Sequence, residues 1–120
     1  MSNAAQTTQD LENIELSIEE AKRKIARKDA LVRLEKNPDF KTIVAEGFLE
    51  THAIRQVMLK AHPGMQSEAQ QKMLDQQITA VGQLKQFFIA VFTEGMNAES
   101  ALAADEETRE QLLAEDLTNE

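Results

Sequence analysis

Apolar residues recur at alternating steps of three and four along two long stretches of the chain. The stronger pattern covers residues 78–102, with seam positions Val81, Leu84, Phe88, Val91, Gly95, Ala98 and Leu102. The other covers residues 8–36, with Leu11, Ile14, Ile18, Ala21, Ile25 and Val32 in the seam and Lys28 as its polar member. Because such spacing places side chains on one face of an α-helix, as in coiled coils, we predict two long amphipathic helices.

Turn signals divide the remaining chain into shorter helices. Pro38 disfavours a helical conformation at Asn37 and suits the first position of a new helix. Gly47 is a suitable residue to end that helix, and Pro63-Gly64 marks a turn before an N-cap at Ser67. The predicted helices span residues 8–36, 38–46, 49–61 and 67–114. A break in the last one near Gly95 is an open alternative.

Composition agrees with an all-α fold. The chain of 120 residues has four Gly, two Pro and no Trp or Tyr, which disfavours a many-stranded sheet. We predict a long antiparallel helical hairpin, coiled-coil-like and capped by the two short helices. Residues 8–114 form the predicted single helical domain, residues 1–7 a disordered terminus or tag remnant, and residues 115–120 a frayed acidic tail.

The net charge of −8 is unevenly distributed. Residues 1–60 contain ten basic and ten acidic residues, whereas residues 61–120 contain three and eleven. An acidic half disfavours non-specific nucleic-acid binding, which requires a basic face. The basic run at residues 22–28 is the candidate for nucleic-acid contact, but no aromatic residue accompanies it.

Antiparallel packing gives this basic run a different expected role. It places Arg23 and Arg27 near Glu94 and Glu99, from the same chain or from a neighbouring one. We therefore predict these four residues to form charged contacts that set register and partner choice.

Residues with catalytic potential form no recognisable motif. His52 and His62 have no metal-site spacing, Cys is absent, and neither a glycine-rich phosphate loop nor a nucleophile triad occurs. We expect no catalytic residue, no cofactor, no metal, no small-molecule substrate and no enzymatic activity. We expect no membrane span, because no run of eighteen apolar residues is present, and no secretory signal, because the N-terminus lacks a basic segment followed by an apolar one.

The middle half of the chain resembles a group of small helical proteins of tailed bacteriophages. The matching features are Asn37-Pro38-Asp39-Phe40, Glu46-Gly47-Phe48, the turn at residues 63–66, and Gly82 with Leu84. The resemblance implies a virion-associated or assembly protein rather than an enzyme. It also implies a location in the host cytoplasm during assembly, with the virion as a further location.

The expected function is therefore that of a non-enzymatic bacteriophage structural or assembly protein. It would act by helix-mediated homo-oligomerisation or by docking onto other phage structural proteins, because the apolar seams exceed what one hairpin needs to hide. The predicted interaction residues are the seam of residues 81–102, together with Ile14, Ile18 and Ile25. The alternative is a small acidic regulator that binds a host nucleic-acid-processing protein.

Overall fold

The computed structural model describes residues 4–118 and is helical almost throughout. All but seven of these 115 residues are helical, against roughly a third in an average globular protein. The elements in chain order are α1 (Ala4–Glu35), α2 (Pro38–Phe40), a π-helical segment (Lys41–His52), α3 (Ala53–Leu59), a 3₁₀ turn (Pro63–Met65) and α4 (Glu68–Thr118). No strand occurs within residues 4–118. The prediction of an all-α fold, with two long helices and short ones between them, is confirmed.

Helix α1 begins earlier than its apolar pattern indicated. Residues 4–7, predicted to be disordered or a tag remnant, already form its first turn. Thr8 donates a hydrogen bond from Oγ1 to the Ala4 carbonyl at 2.9 Å, and Thr7 is buried, so both residues lie within the helix rather than at its start. The alanines and glutamine of this turn favour a helix without any apolar repeat. Residues 1–3 of the predicted disordered N-terminus lie outside the residues that the structure describes.

The boundary at Asn37 lies where the turn signals placed it. Asn37 has an extended backbone, and its Oδ1 accepts hydrogen bonds from the N–H groups of Asp39 at 2.9 Å and Phe40 at 3.1 Å. Pro38 occupies the first turn, where its missing N–H costs nothing. These bonds satisfy two donors that a helix start would otherwise leave free.

The predicted pair of short helices at residues 38–46 and 49–61 is wrong at its internal boundary. Gly47 lies inside the π-helical segment, and its φ is not in the left-handed region that a C′ glycine adopts. A Cβ on Gly47 would lie 2.8 Å from the carbonyl oxygen of Thr42, five residues earlier. Because each turn of a π-helix reaches back five residues, the missing side chain suits this wide turn rather than a helix end.

The turn before α4 is held by side chains. His62 Nδ1 accepts a hydrogen bond from the Gly64 N–H at 2.9 Å. The Gln66 amide donates to the carbonyls of Lys60 at 2.9 Å and His62 at 2.8 Å. These bonds occupy carbonyls at the end of α3, so the Pro63-Gly64 signal marks a true helix end.

Helix α4 is longer than predicted and has no break. The Ser67 Oγ accepts from the Gln70 N–H at 3.1 Å, which confirms the predicted cap. The helix continues through Gly95, and residues 115–118 of the predicted frayed tail are still helical. Residues 119–120 lie outside the described part. The Glu, Gln, Ala and Leu residues near this end are strong helix formers, which explains its persistence.

Contacts group the chain into two compact units. Unit 1 comprises Met1–Asp29 and Val91–Glu120, and unit 2 comprises Ala30–Ala90. Unit 1 thus contains the first part of α1 and the last part of α4. Unit 2 contains the remainder of both helices and everything between them. The single domain predicted for residues 8–114 stays a prediction.

Candidate functional site

The two helices of unit 1 run antiparallel. Ser17 Oγ donates to Asp105 Oδ2 at 2.7 Å, and Arg109 lies 3.4 Å from the Glu15 carboxylate. Further along α1, Lys28 pairs with Glu99. Positions on α4 therefore decrease as positions on α1 increase, which is the register of an antiparallel hairpin within this unit.

The seam residues predicted in unit 1 lie on its inner face. Ile18 is 2% exposed, and Val91, Gly95 and Ala98 are also buried. Three further seam positions are half-buried, namely Ile14, Ile25 and Leu102. The two helices of unit 1 cover these side chains themselves. Their predicted role in binding another chain stays a prediction.

The predicted seam residues of unit 2 are also covered within the chain. Val81 is buried, and Leu84 and Phe88 are half-buried. The Phe88 ring packs edge-on against Phe40, with ring centroids 5.9 Å apart. Edge-to-face packing of this kind stabilises a core beyond the area it buries. Leu74, only 1% exposed, belongs to the same core and extends the seam towards the start of α4.

Lys28 crosses the seam of unit 1 directly over Gly95. Its side chain is 11% exposed, and its ammonium group binds Glu99 and also lies 3.6 Å from Asp29. A Cβ on Gly95 would lie 2.8 Å from Lys28 Cγ and 2.9 Å from Cδ, closer than real contacts allow. Gly95 therefore provides the space in which the lysine stem lies, while the charged end reaches an acidic partner.

The ion pair also changes the titration of Lys28. The hydrogen bond to Glu99 raises the pKa of Lys28 above its ordinary value of 10.5, partial desolvation opposes this, and the negative charges of Glu99 and Asp29 add to the rise. Lys28 is therefore charged throughout the physiological pH range. A charged residue at a seam position favours the one register in which its partner is within reach.

Within one chain, the four charged residues predicted to form contacts do not come together, and their contact between neighbouring chains stays a prediction. Arg23 and Arg27 are exposed and form no ion pair within residues 4–118. Glu94 is exposed and lines a hollow of about 240 Å³, and Glu99 binds Lys28 instead. Lys28 is thus the member of the basic run that meets Glu99. The sequence signal for it was its polar character within an apolar seam.

Unit 2 has an apolar hollow that the sequence reasoning missed. Its volume is about 550 Å³, and its lining consists of Ile43, Val44, Gly47, Phe48, Thr51, His52, Arg55 and Leu84. Seven of these residues recur in steps of four from 43 to 55. They lie in the π-helical segment and the first turn of α3, so one side of this stretch supplies most of the lining.

Several large apolar side chains stay exposed. Within residues 4–118 there are thirteen of them, against seven buried hydrophobic residues. The exposed set comprises Leu16, Leu34, Ile43, Ile54, Val57, Met58, Met73, Phe87, Ile89, Phe92, Met96, Leu113 and Leu117. Isolated exposed apolar residues are ordinary, but several of these stand three or four residues apart on one helix.

One buried polar group is incompletely satisfied. Gln56 on α3 is buried, and its Oε1 has no hydrogen-bond partner within the described part of the chain. No sequence signal marked it, because glutamine on an amphipathic helix is ordinarily placed outside.

The histidines have structural surroundings. The His52 ring stacks on Phe48, with centroids 5.4 Å apart, and His62 holds the turn described above. No cluster of three or more His, Cys, Asp or Glu side chains suited to a metal ion occurs within residues 4–118. None of the helices in that range is both long and apolar enough to cross a membrane.

The chain was also compared with known proteins. No protein-family model matches it, and neither curated proteins nor solved structures gave a match.

Proposed function

We propose that this protein is a non-enzymatic helical assembly protein that binds other protein chains, including copies of itself, through exposed apolar helix faces. The observation that carries the proposal is the spacing of these residues. Ile54, Val57 and Met58 share one face of α3, and Phe92 and Met96 are four residues apart on α4. Apolar anchors at such steps are the usual means by which one helix recognises another protein surface.

The proposed setting is the bacteriophage particle. Support for it comes from the sequence resemblance at residues 37–40, 46–48 and 63–66. The protein then assembles in the host cytoplasm and is carried into the virion or onto an intermediate of it. Mass spectrometry of purified particles tests this part, because an assembly protein that stays in the particle is present at a fixed copy number. A chain found only in the host cell extract would contradict the virion location.

Light scattering on the purified chain tests self-association. We expect a mass above the 13.5 kDa of one chain that increases with protein concentration. The variant Ile54→Ser/Met58→Ser should lower that mass, because it removes two anchors from one helix face. The control Leu34→Ser changes an exposed apolar residue outside α3 and should leave the mass unchanged. A mass of one chain at every concentration would overturn the proposal.

A second candidate function is favoured by the charge of unit 1. Six basic and fifteen acidic residues give this unit a net charge of −9, which suits a regulator that imitates a phosphate backbone. Such a regulator would be a monomer or dimer that binds a basic nucleic-acid-processing protein. Its binding would weaken steeply as salt is raised, because long-range attraction is screened. Self-association that persists at high salt favours the assembly function instead.

A further inference from the structure

The apolar hollow of unit 2 has the dimensions and chemistry of a binding surface. Its volume of about 550 Å³ lies within the range of roughly 300–1,000 Å³ that is usual for ligand sites. Ile43 in its lining is 69% exposed, although it lies among other apolar side chains. A largely apolar surface of this kind favours an apolar occupant, because binding removes the apolar area of both from water.

One residue in the lining of the hollow is a glycine. Gly47 lies in the π-helical segment and contributes no side chain to the surface that Val44 and Phe48 also line. The π-helical turn requires this glycine, because a Cβ would approach the Thr42 carbonyl too closely. The wide turn and its glycine are therefore part of the lining itself.

Charge selects the kind of occupant. Among the described residues that line the hollow, Arg55 is the permanently charged one, and it is exposed. Unit 2 as a whole has seven basic and six acidic residues, a net charge of +1. Unit 1 carries −9. Contact between the acidic units of two copies is thus repulsive, whereas contact of unit 1 with unit 2 of another copy is not.

The end of α4 in unit 1 has matching properties. Leu113 is 46% exposed and Leu117 is 72% exposed, and they stand four residues apart on one helix. Glu110, Glu115 and Asp116 surround them, so the apolar pair lies in an acidic segment. The rise of 1.5 Å per residue separates the two leucines by about 6 Å along the helix, which places both on one side of it.

We infer that residues 110–118 of one copy bind as a helix in the unit 2 hollow of a second copy. Leu113 and Leu117 enter the apolar lining, and the acidic residues beside them lie near Arg55. The occupant is a second copy because this segment supplies both the exposed leucine pair and the negative charge. The inference rests on the proposed self-association and names one pair of surfaces that contributes to it, beside the exposed face of α3.

Such a contact joins two different surfaces of the same chain. In the resulting pair, one copy keeps a free hollow and the other keeps a free α4 terminus. A head-to-tail contact of this type forms a ring if its rotation closes and an open filament if it does not. This suits an assembly protein, since each added copy presents the same pair of surfaces again.

Two variants with opposite defects test the inference. The terminal variant Leu113→Ser/Leu117→Ser keeps the hollow, and the hollow variant Ile43→Ser/Arg55→Glu keeps the terminus. We expect each alone to associate at least about tenfold more weakly than the wild type, because it loses the anchors of the contact. Mixed in equal amounts, they should regain association and, through this contact, form a dimer that grows no further, since one intact hollow meets one intact terminus. Sedimentation velocity measures the mass of each variant alone and of their mixture, beside that of the wild type.

The control variant Leu16→Ser removes another exposed leucine of unit 1 and should associate like the wild type. Circular dichroism checks that each variant is helical. Should a double variant fail to fold, Leu117→Ser alone serves, because this side chain is mostly in water. If the wild type associates and both variants associate as strongly as the wild type, the inference is overturned and the proposed function stands. A wild type that never associates overturns both, and variants that lose association but do not complement each other also overturn the inference.

Discussion

Unit 1 and unit 2 pack similar helices with different residues. The core of unit 1 combines Ile18 and Val91 with the small residues Ala21, Gly95 and Ala98, and Lys28 crosses the seam over Gly95. The core of unit 2 uses larger side chains, including Leu74 and the pair Phe40–Phe88. Close packing of small residues fixes one register, whereas the wide helix of unit 2 leaves an apolar hollow. The seam of unit 1 is covered by its own two helices, whereas unit 2 leaves an apolar surface that a partner can cover.

The largest expected effect comes from the larger core. Leu74→Ala should destabilise the protein by about 2–5 kcal/mol, because it leaves a cavity at a fully buried site. The neighbouring Met73→Ala is a matched control at an exposed site and should change stability by about 0.5 kcal/mol or less. Urea unfolding measures both. Equal effects of the two changes would mean that unit 2 has no specific core at this position.

The glycines of α4 test the close approach in unit 1. Gly95→Ala should lower the melting temperature, because overpacking against Lys28 costs about 1–3 kcal/mol, more than the roughly 1 kcal/mol that alanine gains as a helix former. Gly82→Ala should raise the melting temperature, because nothing lies within 4 Å of the added Cβ. Thermal unfolding, monitored by circular dichroism, shows whether each substitution raises or lowers the melting temperature. Stabilisation by both substitutions would contradict the close contact at Gly95.

Gly47→Ala tests the wide helix of unit 2. The added Cβ meets the Thr42 carbonyl at 2.8 Å, so we expect destabilisation of up to about 1 kcal/mol and faster amide exchange within residues 41–52. In an ordinary α-helix the same change would stabilise by roughly that amount. Hydrogen-exchange mass spectrometry and thermal unfolding distinguish the two cases. A variant that is more stable than the wild type, as expected for Gly82→Ala, would show that this turn is α-helical.

The smallest effect concerns the Lys28–Glu99 pair. Because folding raises the pKa of Lys28, the stabilisation from its charge is fully present below pH 10.5. It is lost as the pH rises through the raised pKa of the folded protein. Urea unfolding from neutral pH to above 10.5 should show a decrease in stability that Lys28→Met lacks. An identical alkaline profile in the two proteins would mean that the ion pair contributes nothing.

Much of the fold followed from periodicity. The steps of three and four along residues 81–102 identified the inward positions of α4. Asn37 and Ser67 marked boundaries through hydrogen bonds that their side chains make locally, and Pro63-Gly64 marked the turn before α4. The central turn did not follow, because Gly47 has the same sequence signature at a helix end as in a wide helix.

The charged contacts were harder to predict than the seam. A basic run identifies a helix face only approximately, since long side chains reach in several directions. Lys28 rather than Arg23 or Arg27 meets Glu99, because only the seam position points towards α4. The hollow of unit 2 depends on backbone geometry that no local residue pattern specifies uniquely.

Hydrogen exchange at rising protein concentration tests most directly whether the surface left by unit 2 is covered by another copy. The account predicts that exchange slows within residues 41–59 and 110–118 as concentration rises, while it stays constant within residues 14–25, which unit 1 already covers. Exchange that is independent of concentration in all three segments would contradict it.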